Sequence, residues 1–203
     1  MKYILFIAFI LSVVSCAKHD GYTLTGLVPE AWEGKPVFLV LDDTNQPHFI
    51  DSTKISGGKF KFQGKFEVPR YCTINIYLDP NDRQTRSKII NFSLFIDSTA
   101  VEATCNYSGK HPVFQISGSG TQTEYQNYLS EIQPMEDDRS KTFHAYGEAY
   151  YSTKDLAKAI DLAKLVTEKR LAIREAKMKY LKAHPESAIS VKIAQELSDR
   201  NSD

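Results

Sequence analysis

The stretch Phe49–Lys65, FIDSTKISGGKFKFQGK, constrains the fold more than any other. Two alternating runs flank Gly57-Gly58. Adjacent glycines supply the positive φ angles that a two-residue type I′ turn requires. With the glycines at the turn centre, Ser56 faces Lys59, Ile55 faces Phe60, Lys54 faces Lys61, Thr53 faces Phe62 and Ser52 faces Gln63. Thr53, Ile55, Phe60 and Phe62 then share one face, and Ser52, Lys54, Lys61 and Gln63 the other. That is the period-two split of a half-buried antiparallel sheet. A slip of one residue would put both phenylalanines in water, so the register is firmly specified. Lys54 opposite Lys61 is tolerable only on a wet face.

Similar runs recur along the chain. Tyr22–Leu27 alternates. Val37–Leu41 is continuously apolar and reads as a central strand. Tyr71–Leu78, Lys88–Ile96, Ala100–Tyr107 and His111–Ile116 follow, separated by turn clusters such as Asp42–Pro47 and the polar loop Asp79–Ser87. Eight short strands with turn signals between them predict an antiparallel β-sandwich. At Ser117-Gly118-Ser119-Gly120 the composition changes, and Gly118–Gly120 reads as a linker. Thr121 or Thr123 caps a helix to about Gln133, which Pro134 interrupts. Phe143–Tyr151 is an aromatic segment, helical or irregular. From Asp155 to about Ala183, Leu156, Ala159, Ile160, Ala163, Val166, Ile173, Ala176 and Tyr180 follow helical spacing and predict one long helix with a charged, solvated opposite face. It ends ahead of Pro185. Glu186 or Ser187 caps a last segment to about Leu197. The fold class is therefore α+β, a sandwich over residues 22–117 followed by a helical appendage over 118–203.

The first residues are of another kind. A short basic start is followed by an apolar run, Tyr3–Val14, interrupted only by Ser12. This is too short for a bilayer of about 30 Å and has the length of a signal-peptide core. It ends in Val13-Val14-Ser15-Cys16, the pattern of a bacterial lipobox, with Cys16 as the lipidated residue. Residues 1–15 would be a lipoprotein signal peptide and 16–21 a tether. This predicts a membrane-anchored protein of a Gram-negative cell envelope, on the outer membrane or a periplasmic face. Cys72 and Cys105 remain in an oxidising compartment. Each is in phase with core-facing neighbours, which fits buried apolar thiols; a structural disulfide between them is the alternative.

The chain has 25 Lys+Arg and 25 Asp+Glu, so no net field recruits nucleic acid. The five histidines (19, 48, 111, 144 and 184) lack metal-ligand spacing, so no metal or other cofactor is expected. No phosphate loop, nucleophile elbow or dinucleotide fingerprint is present. Two weaker binding signals stand beside turn and packing explanations. Trp32, near Tyr22 and Phe38 in sequence, has the makings of a sugar-stacking platform or of a loop aromatic folded on the sheet. Asp51 and Asp97 lie in an echo, Phe49-Ile50-Asp51-Ser52-Thr53 and Phe95-Ile96-Asp97-Ser98-Thr99, that suits local turn chemistry or a pair of binding carboxylates.

The run Ile50-Asp51-Ser52-Thr53, Gly57-Gly58-Lys59-Phe60-Lys61-Phe62 and Gly64 resembles the β-domain called domain of unknown function 4369. Thr25-Gly26, Gly118-Ser119-Gly120 with Glu124-Tyr125, and His184-Pro185-Glu186-Ser187 occur in that family's order, so the resemblance covers roughly residues 22–197. It implies a lipoprotein domain that precedes a thioredoxin-like thiol:disulfide oxidoreductase, with such a domain or another envelope protein as partner. This chain carries no C-x-x-C, so no catalytic residue transfers to it, and the residues argue against an enzyme. The expectation is a non-catalytic, lipid-anchored scaffold. The alternatives are a truncated or split oxidoreductase lacking its thioredoxin half, and a glycan or peptide binding module using Trp32 or the Asp79–Ser87 loop.

Overall fold

The computed structural model describes residues 21–42, 47–79, 89–107 and 111–199. Eight strands form two four-stranded sheets: β1 (Tyr22–Leu27), β2 (Pro36–Leu41), β3 (His48–Lys54), β4 (Lys59–Gly64), β5 (Arg70–Tyr77), β6 (Ile89–Ile96), β7 (Ala100–Asn106) and β8 (Val113–Ser117). One sheet has the order β4-β1-β7-β8 and the other β3-β2-β5-β6. Every pairing is antiparallel except β1 with β7. The apolar run of β2 is internal, between β3 and β5, as expected of a strand with no polar face.

The Gly57-Gly58 turn forms, with φ of +59° and +67° and reciprocal Ser56–Lys59 backbone bonds. Its arms do not pair beyond that. β3 pairs with β2 and β4 pairs with β1, in opposite sheets. The expected facing of Ile55 with Phe60, Thr53 with Phe62, Lys54 with Lys61 and Ser52 with Gln63 is therefore replaced. Lys54 lies beside Pro36, and Lys61 beside Thr25. The cause is at the turn. Ile55 exchanges backbone bonds with Gly34 and Lys35, and Gly58 accepts from Val28 N–H, so each arm leaves with a different neighbour. The sidedness survives because both arms line one core. Ile55, Phe60 and Phe62 are buried, while Ser52, Lys54, Lys61 and Gln63 are exposed. The segment is a corner strapping two sheets together rather than a hairpin.

The core lies between the sheets, from Leu24, Val37, Leu39, Ile74, Ile76, Leu94, Ile96 and Val101 with the corner phenylalanines. Helices form a third layer over the outer face of β5 and β6. They are α1 (Gly120–Gly147), a π-helical turn Glu148–Ser152, α2 (Leu156–Ala183) and α3 (Ala188–Asp199). A second core joins Phe95 to Tyr128, Ile132, Ile189 and Ile193. Gly118–Gly120 is not a loose linker. A Cβ on Gly118 (φ +97°) would meet the Ala100 carbonyl oxygen at 2.1 Å, and Ser119 is buried as the N-cap of α1, its Oγ accepting from Gln122 N–H at 3.0 Å. Ser119 thus replaces Thr121 or Thr123 as the cap. Ser187 caps α3 by accepting from Ile189 N–H.

Two helical expectations change. Pro134 does not end α1, which runs 28 residues, as long as α2. Proline removes one backbone bond, but tertiary contacts hold both flanks. Ile132 and Met135 pack in the second core, and Asp138 bonds Lys169. The α2 face opposite α1 is not purely charged, nor are all its lysines solvated. Leu156, Ile160 and Ala163 are exposed on the outside, while Lys177 is buried inside.

Candidate functional site

The helical layer meets the sandwich around Glu124. Its Oε1 accepts from Tyr180 Oη at 2.7 Å and Ser187 Oγ at 2.8 Å, tying α1 to the end of α2 and to the turn before α3. Burial, then the bond to Glu124, pushes the Tyr180 hydroxyl up to about 12. The His184 ring stacks on Tyr180 at 4.4 Å.

Glu124 separates two open clefts. One, of about 530 Å³, lies between α1 and α2 and includes Tyr128, Met135 and His184. The other, of about 540 Å³, has the aromatic floor Tyr71 and Phe95 and walls that include Val68, Pro69, Pro185 and Val191. Val68 and Val191 are exposed. In the floor, Tyr71 Oη lies 3.4 Å from Tyr125 Oη, and burial, followed by the neighbouring Tyr71, raises the Tyr125 hydroxyl far above its ordinary value. Lys192 Nζ sits 4.5 Å from the centre of the Tyr71 ring, a cation–π contact.

The Ser187 hydroxyl donates to the Glu124 carboxylate at 2.8 Å. Among the described residues no group of three or more His, Cys, Asp or Glu is placed to hold a metal ion.

The residues singled out by sequence are scattered. Trp32 is 5% exposed, in the sandwich core, with its ring 5.7 Å from that of Tyr107, so it is the folded-down aromatic and offers no open stacking face. Asp51 is exposed on β3, its Oδ1 accepting from Ser52 N–H. Asp97 follows β6. The two strands are opposite edges of one sheet, about 14 Å apart at 4.8 Å per strand, so the echoed carboxylates are not brought together. Asp97 instead accepts from Ser119 Oγ at 2.6 Å, Thr121 N–H and Thr99 Oγ1, and backs the cap of α1. Burial opposes its charge, but those three bonds together hold the carboxyl below its ordinary value. Cys72 and Cys105 lie on different sheets and form no disulfide; Cys72 is buried, and burial raises the Cys105 thiol. Cys16, the rest of residues 1–20, and all of the Asp79–Ser87 loop after Asp79 lie outside the described residues.

The pattern of the family described as Domain of unknown function (DUF4369) matches residues 22–125, more than half of the chain. The chain belongs to the DUF4369 family. No curated protein matches it. The DUF4369 match continues eight residues past the β8 end at Ser117, through the first turns of α1. Those turns finish the sheet. β6 is an edge strand, and Gln122 Oε1 accepts from its Phe95 N–H at 2.8 Å, while the Tyr125 ring packs on Phe95. An unpaired edge N–H buried under a helix would be costly.

Sequence reasoning did not find Glu124, Tyr71, Tyr180 or Lys192 as a group. They are spread over more than 120 positions, and no local spacing signals them. The Glu124-Tyr125 pair, in the family's order after Gly118-Ser119-Gly120, was the one local pointer.

Proposed function

We propose that this chain is a lipid-anchored cell-envelope protein that works by binding another protein and performs no chemistry of its own. The observation that carries this reading is the second cleft. Its Ser187 hydroxyl and Lys192 ammonium are committed to Glu124 and the Tyr71 ring, while Val68 and Val191 stand open on its walls. Such a surface fits an extended apolar segment of a partner with polar edges. The anchor rests on the Tyr3–Val14 run and Ser15-Cys16.

Two measurements test the reading. Growth with an alkyne fatty acid should label the full chain, and Cys16→Ser should abolish the label and release the protein from membranes; label retained on Cys16→Ser would overturn the anchor. Purified protein assayed for thiol–disulfide exchange on a reduced substrate should show no turnover. Clear turnover would overturn the non-enzymatic reading.

A further inference from the structure

Helix α2 is apolar on two faces, with one further exposed apolar residue, Leu165, alone on a third side. Ala159, Val166, Ile173 and Tyr180 turn inward, with Lys177 among them. Leu156, Ile160, Leu171 and Met178 are 60%, 58%, 52% and 39% exposed. At about 100° per residue these four fall within about 60° of one another, about 120° from the inner face. Leu156 and Met178 are 22 positions apart, and Ile160 and Leu171 are 11 apart. Eleven residues come about 20° past three full turns, so the row drifts by only about 40° from Leu156 to Met178. Exposed Ala163, Thr167 and Arg174 fill the intervening places. On α1, by contrast, the only exposed large apolar residue among those described is Phe143. Single exposed apolar residues are ordinary; an aligned row repeating at helical period is a seam.

We infer that the outer stripe of α2 is a contact between two copies of this chain, packed antiparallel about a two-fold axis at Thr167. The width of the stripe selects a helix over a membrane surface. An in-plane membrane helix needs a broad apolar face, whereas a row about 60° wide matches the seam of a helix pair. The order of residues selects a second copy. Thr167 lies midway between Leu156 and Met178, so the axis sets Leu156 against Met178 of the other copy and small Ala163 against its Leu171. Ile160 meets the aliphatic stem of Arg174. Lys164 and Glu168 share one flank, and the axis sets the other copy's Glu168 about 3 Å, along the helix, from both of them. The row is about 33 Å long and about 10 Å wide, roughly 330 Å². Stable complexes bury about 800 Å² per partner, so the dimer is weak and concentration-dependent.

The test is disulfide trapping in the full chain. Thr167→Cys, oxidised with copper phenanthroline, should give a dimer band about tenfold stronger than Leu165→Cys, which lies on the other side of the helix. Adding Ile160→Glu and Leu171→Glu should remove that band without lowering the melting temperature. As a second measurement, sedimentation of the native chain should show mass rising with concentration, and the double glutamate variant should stay monomeric. Equal trapping at 165 and 167, or a native chain that is monomeric at all concentrations, would overturn the contact. So would a Thr167→Cys thiol that never crosslinks but is shielded from a water-soluble maleimide only by phosphatidylcholine–phosphatidylglycerol vesicles, which would make the stripe a membrane face.

Discussion

The sandwich and the helical layer bury their residues by different means. Between the sheets the buried set is almost wholly apolar, and the ladders satisfy the backbone. The helices share a smaller apolar core and are held in register by polar ties. Lys177 Nζ, buried, contacts Glu196 at 3.0 Å and Glu136 at 3.6 Å, linking α2 to α3 and α1. Glu124 does the same at the other junction through Tyr180 and Ser187. Apolar area is non-directional and supplies bulk stability. Buried charge pairs add little net stability and cost much when broken. The sandwich should therefore fail as a whole when damaged, and the helices should fail locally.

The largest expected effect is in the sandwich. Phe60 is fully buried and makes an edge contact with Phe62 at 5.9 Å between ring centres, and its ring fills the space where a Gly26 side chain would be. Phe60→Ala should cost about 3–5 kcal/mol, the range for a buried phenylalanine. Denaturant unfolding checks the size. Hydrogen exchange checks the kind: amides of both sheets and of α1 should lose protection together. Loss confined to β4 would break the comparison.

A smaller and more local effect is expected at Lys177. Glu196 keeps part of its exposure and Glu136 keeps its pair with Arg139 at 3.0 Å, so removing the lysine leaves neither carboxylate fully buried and alone. Lys177→Ala should cost about 1–3 kcal/mol, below the range for a fully buried pair. Lys177→Met keeps the stem and should cost less. Exchange should quicken in α2 and α3 while β2 and β5 stay protected. If the sheets loosen equally, the helices are not a separately failing layer.

These two sites also show what the residues made legible in advance. The strands were readable because period-two burial repeats over many residues, and Ile55, Phe60 and Phe62 were assigned to the right side. Their partners were not readable. The turn geometry of Gly57-Gly58 is the same whether the arms pair or diverge, and the choice is made by Gly34, Lys35 and Val28, far away in sequence. Lys177 looked like a solvated charge because its acceptors sit 41 positions before and 19 after it. Pro134 carried a true local signal that tertiary contacts on both flanks overrode. The cleft was illegible for the same reason as Lys177: each of its elements is a common residue, and only the packing of α1 and α3 on β5 and β6 brings them together.

The smallest effect lies at the junction of the two regions. Asp97 ends β6 and backs the cap of α1, so it belongs to both. Its folded carboxyl is held below the ordinary value of about 4, so its ionised form is stabilised more in the folded chain than in the unfolded one. The stability it adds is fully present above about pH 4 and is lost as pH falls through the lower folded value. Asp97→Asn keeps the shape, removes the charge and weakens the bonds from Ser119 and Thr99. The variant should be less stable than the native chain at pH 7, and the gap should close below about pH 4, where the native carboxyl protonates. Denaturation midpoints measured from pH 2 to pH 7 on both proteins check the sign. A gap that persists unchanged at low pH would mean that Asp97 acts by shape alone. Exchange at the Gln122 amide, which Ser119 Oγ accepts, then tells which region depends on the carboxylate. Faster exchange there with β6 unchanged would place Asp97 with the helices, whereas joint loosening would make it the point where the two layers fail together.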